Sequence, residues 1–133
     1  MKKTLFGSLA LIVLAATLQS AAPQKGDDVM TKENGTYIVN TTTLGKDVVG
    51  YVSATPVKVY IKKNKIEKVE FLKNQETPKY MAKVKKALQG KWDGQKVKDA
   101  AKLKVDGVTG ATFSSEAIIQ NVQLALDYYQ KHK

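Results

Sequence analysis

Cysteine is absent from this 133-residue chain, and so is arginine; histidine and tryptophan occur once each. Without cysteine there is no disulfide, no thiolate metal site and no lipid anchor on an N-terminal cysteine. The one histidine, His132, stands beside the last residue as part of a solvated tail, so histidine-centred metal or triad chemistry has nothing to build on. All 22 basic residues are lysine, against 12 acids, for a net charge of +10. Base readers rely on arginine's bidentate fork, so no nucleic-acid partner is expected. The lysines are interleaved with Asp and Glu, as on a solvated surface that draws acidic partners or anionic membranes from a distance. Paired carboxylates, a glycine-rich nicotinamide motif, internal repeats and low-complexity tracts are all missing. The length leaves room for one domain with one core.

Residues 1–22 read as a secretory signal. Lys2 and Lys3 form a positive start, residues 5–18 an apolar run, and Ser20-Ala21-Ala22 a small-residue cleavage site. The apolar run is short for a membrane span, which needs about 20 residues, so cleavage is expected rather than retention as an anchor. Residues 23–34 are charged and without period, which predicts a linker, with the ordered domain over residues 35–133.

A short strand is expected at residues 37–41 and a second extended piece at residues 47–53, where Gly50 signals a bulge or a close backbone approach. Val57, Val59 and Ile61 alternate with Lys58, Tyr60 and Lys62, which predicts a half-buried strand. Lys63-Asn64 is a turn, and the return strand holds Ile66 and Val69 out of phase, as a bulge near Glu67-Lys68 would place them. Thr77 and Pro78 open a helix as N-cap and first residue, with Tyr80, Met81, Val84, Ala87 and Leu88 as its buried stripe. Lys79, Lys83, Lys85 and Lys86 fall outside the stripe and read as a solvated face. Trp92 is expected in the core or in a lid, and Val97, Ala100 and Ala101 suit a single helical turn. Ile118, Val122, Ala125 and Tyr129 trace the core stripe of a last helix over residues 114–130. The fold class is α+β: a small, mostly antiparallel sheet packed against two main helices.

One stretch stands apart: Asp106-Gly107-Val108-Thr109-Gly110-Ala111-Thr112-Phe113-Ser114-Ser115. Its glycines allow a sharp turn, its hydroxyls are four in seven residues, and Ser114 or Ser115 suits an N-cap for the helix that follows. Free N–H groups at such a helix start can receive a phosphate. As composition alone, the stretch reads equally as a capped turn. Its order, Asp-Gly-Val-Thr-Gly-Ala-Thr, closely resembles the flavinylation motif of the FMN-binding domain family. That domain is shared with flavin-carrying subunits of the sodium-pumping NADH:quinone reductase and the related Rnf complex. Glu76-Thr77-Pro78 resembles a second family element in the expected order, after the hairpin. Thr109 and Ser114 replace the family's commoner serine and threonine while keeping a hydroxyl, and Lys79 replaces a glycine.

The resemblance implies FMN joined covalently through a phosphoester to Thr112 by a dedicated flavin transferase. The implied cofactor-binding set is Thr112, Thr109, Gly110, Ala111, Phe113, Ser114, Ser115, Asp106, Glu76 and Thr77, with Asp106 serving the transferase or the loop. The implied protein is an exported, periplasmic or membrane-associated flavoprotein that carries one or two electrons between partners, without being an enzyme on its own. A rival of a different class stays open: a basic, non-redox exported module that binds an anionic partner.

Overall fold

The computed structural model describes residues 29–133. The expected signal at residues 1–22 and the first part of the expected linker, residues 23–28, lie outside the described residues. Four antiparallel strands form one sheet in chain order: β1 (Met30–Glu33), β2 (Thr36–Asn40), β3 (Val57–Lys62) and β4 (Lys65–Phe71). Three helices follow: α1 (Pro78–Leu88), the single turn α2 (Val97–Ala100) and α3 (Thr112–His132). The α+β expectation holds.

Strand β1 replaces the part of the expected linker that the structure describes, residues 29–34. It pairs with β2 through Met30↔Val39 and Glu33↔Thr36. Asn34 (φ 51°) and Gly35 (φ 84°) make the tight turn, the Asn-Gly pairing that two-residue hairpins favour. Only Met30 of this edge strand is even partly buried, so no apolar alternation marks it in the sequence. The β3–β4 hairpin follows its expected pattern. Tyr60 faces Lys68 and Ile61 faces Ile66, leaving Glu67 as the extra residue of a bulge, and both Lys63 and Asn64 take positive φ.

One face of the sheet is apolar, with Val39, Val57, Val59, Ile61, Ile66 and Val69 all buried. Helix α3 covers it, packing on β3, β2 and α1 through Ile118, Val122, Ala125, Leu126 and Tyr129. Each such large side chain contributes about 1.5–3 kcal/mol by leaving water. From α1 come Met81, Val84 and Leu88; Ala87, expected in its stripe, is exposed, and Tyr80 is half-buried. Trp92 is fully buried in the connection between α1 and α2, as a core residue.

The segment between β2 and β3 carries no strand. Residues 42–47 are turns, and Val49↔Ala54 is an isolated bridge, which corrects the extended piece expected at residues 47–53. Thr41 anchors the segment where it leaves and rejoins the sheet: its Oγ1 accepts the Val57 N–H at 2.9 Å. What shapes the rest of the segment is a carboxylate from another part of the chain.

Candidate functional site

Residues 108–111 form a reverse turn closed by the Ala111 N–H donating to the Val108 carbonyl at 2.8 Å. Gly110 has φ +85°, the value such a turn needs at its third residue and one that L side chains avoid. The helix then starts earlier than expected. Thr112 is its first residue and Ala111 its N-cap, so Ser114 and Ser115 lie inside the first turn and cap nothing. Both serines are buried and hold the site together instead. Ser115 Oγ accepts the Val108 N–H at 2.8 Å and donates to the Thr112 carbonyl at 3.0 Å, fastening the loop across the helix start. The Ser114 hydroxyl donates to Glu76 Oε1.

Glu76 is 4% exposed and gathers three more donors: the amides of Tyr51 (2.7 Å), Val52 (2.6 Å) and Ser53 (2.6 Å). Gly50 makes this possible. A Cβ there would lie 2.5 Å from Glu76 Oε1 and 3.1 Å from Ser114 Cα, so the close approach expected at this glycine is observed. Burial opposes the charge on Glu76, but the Ser114 hydroxyl and the amides of Ser53, Tyr51 and Val52 outweigh it and hold the carboxyl below its ordinary value.

The clasp brings residues 50–53 against the start of α3 and leaves a groove of about 240 Å³ between them, lined by Tyr51, Tyr80, Gly110, Ala111, Thr112, Phe113 and Ser114. Thr112 is exposed in it. Tyr51 and Phe113 present nearly parallel rings, 6.4 Å between centroids at 18°, and Tyr80 meets Tyr51 edge-on at 5.4 Å. Among the described residues the large apolar side chains left in solvent are Val49, Tyr51, Val52 and Phe113, all from the two segments that Glu76 joins. The amides of Thr112, Phe113 and Ser114 are those a helix start leaves without intrahelical acceptors, and no other acceptor among the described residues takes them. Ser115 differs, because its amide donates to the Ala111 carbonyl at 2.9 Å.

The expected residues thus divide. Gly110, Ala111, Thr112, Phe113 and Ser114 line the groove together. Glu76 faces inward as a clasp, and Thr77 sits at the N-cap position of α1 without a side-chain cap bond. Thr109 is exposed on the turn, and Asp106 lines a separate hollow with Leu88 and Lys91. Sequence reasoning missed Tyr51 and placed Tyr80 in the core; the Gly50 signal pointed to the right place without naming the ring beside it. A larger hollow of about 350 Å³ lies near the other end of α3, where Lys63, Lys65, Lys96, Lys98 and Lys133 meet Tyr129. Tyr129 is about 25 Å along the helix from Thr112, so this hollow takes no part in the groove.

No curated protein and no solved structure matches the chain. The family model described as the FMN-binding domain matches residues 50–127, more than half of the chain. That match begins at the glycine of the clasp and spans every groove residue. The chain belongs to the FMN-binding domain family, and it is a flavin-binding protein.

Proposed function

We propose that the protein is an exported electron carrier whose FMN is joined by a phosphoester to the hydroxyl of Thr112. One observation carries this reading: the Thr112 side chain stands exposed in the aromatic groove, beside three amides that have no acceptor. Those donors suit a phosphate, and the faces of Tyr51 and Phe113 suit a flat, conjugated ring, so the residues present fit the cofactor.

When bound, isoalloxazine exchanges one or two electrons and supplies the redox chemistry. The chain's own residues attach and orient. Thr112 Oγ1 provides the ester oxygen, and the amides of residues 112–114 hold the phosphate oxygens. Glu76 keeps Tyr51 facing the helix start, and Phe113 closes the opposite side. Outside the cytoplasm a dissociating cofactor would be diluted away, whereas a tether keeps it at a local concentration of about a millimolar. The leader read at residues 1–22 supports an extracytoplasmic location. The partners are a flavin transferase and a redox protein or membrane electron-transfer complex.

The test is mass spectrometry of the full chain produced together with an active flavin transferase. The tryptic peptide of residues 105–131 should carry one FMN in the parent and none in Thr112→Ala. An unmodified parent peptide, or a Thr112→Ala protein still carrying the group, would show the attachment point to be wrong.

A further inference from the structure

Lysines dominate the outer face of α1, and the periodicity places Lys83 with them in solvent. Lys83 is exposed as expected, and its outer end also lies against the motif turn. A Cβ built on Gly110 would meet Lys83 Nζ at 2.8 Å, Cδ at 3.8 Å and Cε at 3.9 Å, so the end of this side chain lies along the bare backbone of the motif's glycine. No carboxylate pairs with it: the ion pairs among the described residues are Lys46–Asp47 and Lys131–Asp127. No hydrogen-bond acceptor among the described residues engages its ammonium either. A cation thus lies beside Gly110, a residue of the groove wall two positions before Thr112, with no anionic partner among the described residues.

We infer that Lys83 is the cationic partner of the flavin phosphate, an inference that rests on the reading that FMN sits at Thr112. The chemistry at this corner calls for one. A phosphoester to Thr112 keeps one negative charge, and free FMN carries about two at neutral pH. The amides of Thr112, Phe113 and Ser114 supply dipoles but no net charge. Lys83 supplies a full positive charge from a second element, and its donors can reach an oxygen that the amides leave open. Gly110 then has two duties. It permits the turn, and it leaves the space in which the lysine stem and ammonium lie.

The test uses isotopically labelled full chain made without a transferase, titrated with FMN and with riboflavin while the amide resonances of Thr112, Phe113 and Ser114 are followed. These amides should move further with FMN, and FMN should bind more tightly than riboflavin. Lys83→Gln should weaken FMN about tenfold and leave riboflavin within about twofold, while Lys83→Arg keeps most of the FMN preference. Lys98→Gln, in the distant hollow, controls for net charge and should change neither.

Four results would overturn the inference: motif amides in the parent that do not move with FMN; no preference for FMN over riboflavin; a Lys83→Gln protein that loses both ligands alike; or an equal loss in Lys98→Gln. The two readings fail separately. An unmodified Thr112 with the lysine effect intact removes the phosphoester and leaves Lys83 holding an unlinked phosphate. Full flavin loading of Thr112 without any FMN preference removes the lysine alone.

Discussion

Gly110 shows how much of the site depends on a missing side chain. Its φ of +85° costs a residue with a Cβ about 1–3 kcal/mol, and a β-branched residue fits there worst. Gly110→Val should therefore distort the turn that presents Thr112. In-gel flavin fluorescence is expected to vanish in protein made with the transferase, while far-ultraviolet circular dichroism stays close to the parent's, since Gly110 is itself exposed and outside every helix and strand. A folded Gly110→Val chain that loads flavin normally would remove the turn from the account. Ser115 works at the same scale, holding the Val108 amide at one side of the loop and the Thr112 carbonyl at the other. Both residues fix where the Thr112 hydroxyl stands.

Between elements, the decisive object is the Glu76 carboxylate, which sits just before α1 and fixes the β2–β3 segment against α3. Glu76→Gln turns two good acceptors into one and points a donor at amides, which should cost about 2–4 kcal/mol in urea unfolding. The pH dependence follows from the depressed native pKa. Stability from this group is complete above the ordinary glutamate value of about 4.3 and is lost as pH falls through the lower native value. The parent's urea midpoint should thus drop in acid over a window where Glu76→Gln stays flatter; parallel curves would show that the clasp carries little energy. This layer was the least legible in the sequence. The alternation of β3 and the stripe of α3 record which face is buried, and both elements were found there. The order of residues 106–112 identified the motif. Edge strand β1 buries almost nothing, so its only trace is Asn34-Gly35. Tyr51 reaches the groove because a carboxylate 25 residues later holds its amide, and no local pattern encodes such a partnership. The start of α3 moved from Ser114 to Thr112 because the serine hydroxyls are taken by Glu76 and Val108, not by the helix's own amides.

For the molecule as a whole, charge and chemistry are kept apart. The five-lysine hollow and the groove lie near opposite ends of α3, about 25 Å apart, well beyond a screening length of about 8 Å at physiological salt. Exchanging Lys63, Lys65 and Lys96 for Gln should leave the flavin content of Thr112 unchanged by mass spectrometry; a marked fall would tie the distant charge to loading. The signal expected at residues 1–22 makes a separate prediction. N-terminal sequencing of secreted protein should begin near Pro23, and an intact Met1 in a membrane fraction would favour an anchored chain. One feature of the fold also answers the absence of cysteine. The Glu76 clasp bridges sequence separations of 25 and 38 residues, the work that exported domains often give to disulfides. A cross-link made of a carboxylate and four donors contains nothing that a thiol, a peroxide or a passing electron can break. The clasp that shapes the flavin groove is therefore itself redox-silent, and what opens it is acid.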